Sequence, residues 1–145
     1  MSTSRRQARE YALQVLYQVD LSGVTPRQAL ALFWQNFEPT VDSQEFTNEL
    51  VEGTWRERER IDKMIANVAE NWRLGRLPRV DLNLLRLGVH EILSYPQISP
   101  GVTINEAIEI ARLYCGDEAT TFINGVLDRV ALMVGKKAQT HESSE

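Results

Sequence analysis

One cysteine, Cys115, and two histidines, His90 and His141, are all that this 145-residue sequence offers to a soft metal or an internal cross-link. A lone thiol forms no intramolecular disulfide, and the usual Cys and His set of a structural zinc site is missing. Long apolar runs are missing too, because charge interrupts each within a few positions, and the polar, basic segment Met1 to Glu10 has no apolar core of a secretion signal. A soluble cytoplasmic protein without metal, cofactor or membrane association is expected. There is no Gly-rich phosphate loop and no nucleophile elbow, and His90-Glu91-Ile92-Leu93-Ser94 lacks the second histidine of a zinc protease motif. With 20 acidic residues, a pair of carboxylates on one helix face is expected by chance, so no enzyme is indicated.

Positive charge is the other scarcity. The 16 Lys and Arg are outnumbered by acids and leave a net charge of −4. That balance excludes a protein that coats nucleic acid through its overall field, but not one with a local basic patch. The first nine residues contain Arg5, Arg6 and Arg9 and no acid, so this segment carries +3 and the rest of the chain −7. What the chain has in quantity is apolar residue, 43% of the total. At this length that suffices for one domain burying roughly two thirds of its unfolded surface.

The apolar residues recur at helical spacing and never in sustained alternation, so the class is all-α. Ser4-Arg5-Arg6-Gln7 has the form of a capping box, and Ala8, Ala12, Val15, Leu16 and Val19 follow until Ser22-Gly23 stops the run. Thr25-Pro26-Arg27-Gln28 starts a second, short helix through about Asn36. Asp42 or Ser43 opens a third, lined by Phe46, Leu50, Val51 and Thr54. The charged string Arg56 to Arg60 either extends it or bends it into a fourth with Ile61, Met64, Ile65, Val68 and Trp72. Gly75 and Pro78 interrupt the pattern, and a fifth helix carries Val80 through Leu93 until Pro96 and Pro100 end it. Thr103-Ile104-Asn105-Glu106 reads as a capping box for a sixth, with Ala107, Ile108, Ala111 and Leu113, stopping at Gly116. Asp117 is placed to cap a seventh with Phe122, Ile123, Val126, Leu127, Val130 and Met133.

Asn124-Gly125 usually signals a hairpin turn, but helical spacing continues on both sides, which makes Gly125 a candidate for close helix packing. These elements give a single domain over 1–135, with sub-bundles of about 1–74 and 75–135. Residues 136–145 are too polar to fold and are expected to be a disordered tail. Cys115 falls in an apolar pattern and reads as a buried, inert thiol.

Arg5, Arg6 and Arg9 place cations at a helix N-terminus, where the macrodipole is already positive. The placement costs stability unless an anion such as phosphate binds, when free N–H groups, dipole and guanidinium forks act on the same charge. The alternative is a solvated arm that aids solubility. Arg73, Arg76, Arg79 and Arg86, against Asp81, make a second basic stretch, either a solvated helix end or an extension of the anion surface. Phe122, near Asp117 and Glu118, is either core or an aromatic on which an unpaired base stacks.

Three stretches together resemble the NusB family of antitermination factors. These are Arg5-Arg6-Gln7-Ala8-Arg9-Glu10 running into Ala12-Leu13-Gln14-Val15-Leu16-Tyr17, then Val80 to Leu87, then Ile104 to Ala111 with Phe122 to Asp128, in order across nearly the whole chain. The resemblance implies about seven helices in two antiparallel bundles. It also implies binding of boxA-type single-stranded RNA together with NusE, a small-subunit ribosomal protein, and so support of ribosomal RNA transcription. Other antitermination factors and RNA polymerase would be reached indirectly. Carried over, Arg5, Arg6, Arg9, Glu118 and Phe122 match the RNA face, and Tyr17 and Asp81 match positions facing NusE. His90 stands where an aromatic is usual in the family, and is expected to be a packed, hydrogen-bonded substitute. A helical scaffold that binds protein without touching RNA is the competing reading. A third is the related module of ribosomal RNA cytosine methyltransferases, for which this chain has no methyltransferase domain. Monomer and homodimer both remain open.

Overall fold

The computed structural model describes residues 4–36, 41–69 and 74–135, which contain seven α-helices, one 3-10 turn and no strand. The all-α class is as the periodicity requires. Two units divide the chain, Met1–Glu57 and Arg58–Glu145.

The first unit holds α1 (Ser4–Ser22), α2 (Pro26–Gln35) and α3 (Val41–Arg56), each packed on the other two. Helix α1 buries Ala8, Ala12, Val15, Leu16 and Val19, the spacing of one helical stripe. Its end is fixed by Gly23, whose φ of 80° only glycine adopts cheaply and whose N–H reaches the Val19 carbonyl at 3.0 Å. The α2 start is a complete capping box: Gln28 N–H donates to Thr25 Oγ1 and Thr25 N–H to Gln28 Oε1, both at 3.1 Å. On α3, Phe46, Leu50, Val51 and Thr54 are all buried, as their spacing predicts. Thr47, also buried, donates to the Ser43 carbonyl at 2.7 Å and to the Ala8 carbonyl of α1 at 3.3 Å. Tyr11, Phe33 and Trp34 form an edge-to-face cluster, and Trp34 donates its indole N–H to Asn48 Oδ1 at 2.9 Å.

The second unit holds α4 (Arg58–Val68), the 3-10 turn Leu74–Arg76, α5 (Arg79–Ser94), α6 (Pro100–Tyr114) and α7 (Asp117–Met133). Helix α5 packs on the other three and is buried at every position from Asp81 to Ile92, so its polar residues need partners inside the protein. Arg86 makes a two-pronged ion pair with Asp62 of α4 at 2.8 and 2.9 Å, and also donates to Asn83 Oδ1 at 3.2 Å. Asn83 donates to the Arg79 carbonyl at 2.9 Å, and Glu91 Oε1 accepts from Thr103 of α6 at 3.1 Å. His90 lies edge-on to Tyr95, with Nδ1 3.5 Å from Ser94 Oγ. It is packed and polar-partnered, as expected of a histidine in an aromatic's place.

Four expectations are corrected here. The sub-bundle boundary expected near residue 74 falls between Glu57 and Arg58, because α4 belongs with the second unit. Ile61 and Ile65 are buried, Asp62 binds Arg86, and Arg129 of α7 donates to the Val68 carbonyl at 2.9 Å. Helix α6 starts at Pro100 with Ser99 as its cap, so Pro100 begins a helix and Thr103 is an interior residue rather than a cap. Gly116, with φ 94°, caps α7, and Asp117 is its first residue, contributing charge to the positive end of the dipole. Gly125 is exposed and a Cβ there would meet nothing, whereas one on Gly88 would lie 3.0 Å from both Leu127 methyl carbons. The close helix approach is therefore at Gly88, between α5 and α7. Trp72 and the 136–145 tail lie outside the described residues.

Candidate nucleic-acid interface

Helix α1 has no acid in its first turn, so Arg5 and Arg6 add their charge to the positive end of its dipole. Arg5 and Arg9 are four residues apart and so share a face. The structure brings both onto one aromatic ring of α3: the Arg5 guanidinium carbon lies 4.2 Å from the Phe46 centroid and that of Arg9 5.5 Å. Their exposure differs sharply. Arg5 is exposed and Arg6 half-buried, while Arg9 is only 4% exposed. Of the three arginines, Arg9 is thus built into the packing of α1 on α3, and Arg5 is the one presented to solvent. Tyr17, two turns beyond Arg9 on the same helix, is 40% exposed.

In the second unit, Glu118 and Phe122 share a face of α7 by the same four-residue spacing, with Glu118 exposed and Phe122 half-buried. Phe122 thus lies between the two readings open to it, less buried than Ile123 and Val126 beside it. Asp81, expected to face a protein partner, is only 7% exposed. Its carboxylate accepts a hydrogen bond from Cys115, the residue that ends α6. Burial, then the bond to Asp81 and its negative charge, push the Cys115 thiol up to about 12, which makes it inert as a nucleophile. Of the second basic stretch, Arg86 is withdrawn onto Asp62, Arg76 is exposed, Arg79 is half-buried, and Arg73 lies outside the described residues.

A family model described as the NusB family matches residues 6–132, almost all of the described structure. The chain belongs to the NusB family. The transcription antitermination protein NusB of Syntrophus aciditrophicus is 38% identical over 138 residues, covering 95% of this chain and 86% of the relative. That of Desulfitobacterium hafniense is 46% identical over 136 residues, covering 92% of each. Among solved structures, T. maritima NusB matches with a TM-score of 0.81 at 34% identity, over 90% of this chain and 92% of that one. A chain in the crystal structure of antitermination factors NusB and NusE in complex with dsRNA matches with a TM-score of 0.80 at 30% identity, over 92% and 99%. No helix among the described residues is long and apolar enough to cross a membrane.

Within this NusB-family chain, sequence reasoning found the arginines but missed the ring that holds two of them. Phe46 reads in the sequence as one more core position of α3. No local signal links it to residues 5 and 9, because the contact is set by how α3 packs on α1.

Proposed function

We propose that this chain is a transcription antitermination factor that binds boxA-type single-stranded RNA together with NusE, supporting ribosomal RNA transcription from the cytoplasm as an adaptor rather than an enzyme. The observation that carries the reading is end-to-end similarity to proteins of that name, together with a solved relative that pairs NusB with NusE and dsRNA. The physical arrangement agrees with it. An exposed guanidinium at the tip of α1, where free N–H groups and dipole are already positive, suits a phosphate. Glu118 and Phe122 offer an acceptor for a base edge and an aromatic face for stacking. Tyr17 supplies exposed aromatic surface for NusE, while Asp81, buried in the second unit, acts through Cys115 at the end of α6. The acidic balance of the rest of the chain gives RNA little general attraction, so NusE completes the site and raises affinity.

The test is fluorescence anisotropy of a labelled boxA-type RNA, with and without NusE, for wild type and Arg6→Glu. RNA binding should fall in the variant while NusE binding survives; unchanged RNA binding would remove the arginines from the mechanism and favour the protein-only scaffold. A duplexed form of the same RNA is the control, since an unpaired strand alone exposes base faces. Only a few phosphates are engaged, so log affinity should change by roughly −0.7 per phosphate contact with log salt, giving a shallow slope.

A further inference from the structure

The Arg5 guanidinium at the tip of α1 lies over an aromatic ring. Arginine near a helix end is commonly fixed by a carboxylate, which orders the side chain but neutralises it. Here Phe46 of α3, itself 7% exposed, lies beneath both the Arg5 and the Arg9 guanidinium groups, at 4.2 and 5.5 Å from the ring centroid. A ring attracts a guanidinium through its quadrupole and accepts none of the five N–H donors in the conventional sense. It restrains the Arg5 guanidinium without cancelling its charge. The ring itself is fixed, since Phe46 is buried on the α3 face whose neighbours Leu50 and Val51 are fully enclosed.

We infer that Phe46 is a positioning residue for RNA, an aromatic platform that pre-orders the Arg5 guanidinium, with Arg9 beside it, so that its hydrogen-bonding edge is presented to a backbone phosphate. This rests on the RNA-binding reading above and adds to it the residue through which the arginine acts. The phosphate touches Arg5; Phe46 contributes by removing the rotamer freedom that a long side chain otherwise loses on binding. Packing alone would predict something different. If the arginine stems merely cover an apolar residue, the ring matters to stability and not to RNA.

A double-mutant cycle on the full-length chain with NusE present separates the two. Phe46→Leu should weaken boxA-type RNA binding about 3- to 10-fold, the cost of ordering one arginine at the moment of binding. Phe46→Tyr, which keeps the ring face, should bind as wild type does. In an Arg5→Ala background the Phe46→Leu penalty should largely vanish, because the residue it acts through is gone. A full penalty in both backgrounds, or Phe46→Tyr as weak as Phe46→Leu, would overturn the inference, as would wild-type affinity in folded Phe46→Leu. Phe46→Met, closer in volume, replaces the leucine variant if thermal melts show the latter unfolded. Failure of wild type itself to bind RNA would instead remove the functional reading on which the inference stands.

Discussion

Arg5 at the start of α1 and Arg86 in the middle of α5 each lie against a side chain of another helix, but the two partners differ in kind. Arg86 is met by a carboxylate: both oxygens of Asp62 take its N–H donors, and Asn83 takes a third. Its charge is cancelled and its donors are used, which suits a helix enclosed on every side. Arg5, exposed, lies over the Phe46 ring, and a ring leaves charge in place. The first arrangement serves the interior. The second keeps positive potential at a surface, and a positive helix tip on an acidic protein is useful only when something negative arrives. The chemistry of the partner therefore helps to separate a structural arginine from one that belongs to a binding face.

The strongest way to break that distinction is to remove the carboxylate. Asp62→Ala leaves Arg86 buried without its counter-charge, and losing one partner of a buried pair is expected to cost about 2–4 kcal/mol. The figure sits below that of a fully enclosed pair because the Asp62 side chain is 27% exposed. Urea denaturation should show the loss as a lower midpoint at unchanged slope, with RNA affinity of the folded fraction unaltered. An RNA defect without a stability defect would place Arg86 among the binding arginines after all.

Two glycines sharpen the contrast between interior and surface in smaller steps. Gly88→Ala puts a methyl 3.0 Å from two side-chain carbons of fully buried Leu127, which must then shift by a few tenths of an ångström within the packed interior, and should cost about 1–3 kcal/mol by thermal or urea melts. Gly125→Ala adds a methyl where nothing lies within 4 Å and should stabilise by up to about 1 kcal/mol through helix propensity. Gly125 also lies in one helical row with Glu118 and Phe122, seven and three residues on from them respectively, so the same variant reports whether a ligand approaches that row closely.

These glycines also show what a sequence can and cannot convey. Spacing and caps locate helices well: α1 ends at Ser22 and α2 begins on the Thr25 capping box as read, because those signals act over three or four residues. Spacing does not say which face meets which neighbour, so Gly125 looked like the packing point and Gly88 did not. Thr103 has a capping box's sequence, but its hydroxyl is used by Glu91, and Ser99 with Pro100 won the competition to start α6. In the candidate site, the arginines were legible as a charge anomaly. Phe46 was not, nor was the withdrawal of Arg86 to Asp62, because both depend on partners more than twenty residues away.

The smallest effect concerns the other buried acid of α5. Burial, then the hydrogen bond to Asp81 and its negative charge, raise the Cys115 thiol from 9.0 to about 12. The folded protein therefore holds this proton over a range in which the unfolded chain has released it. Stability from the protonated thiol is complete below pH 9 and is lost as pH rises toward 12, so folding should weaken with pH across that window. Because the site is only half-buried, solvent screening keeps the effect modest. It is isolated by comparing wild type with Cys115→Ala: the other groups that titrate in this range are common to both, and wild type should lose stability more steeply. Iodoacetamide at mildly alkaline pH should likewise modify the folded thiol at least about tenfold more slowly than the urea-unfolded one. Equal pH slopes and equal alkylation rates would mean that Asp81 does not hold Cys115, leaving its carboxylate to serve a partner directly.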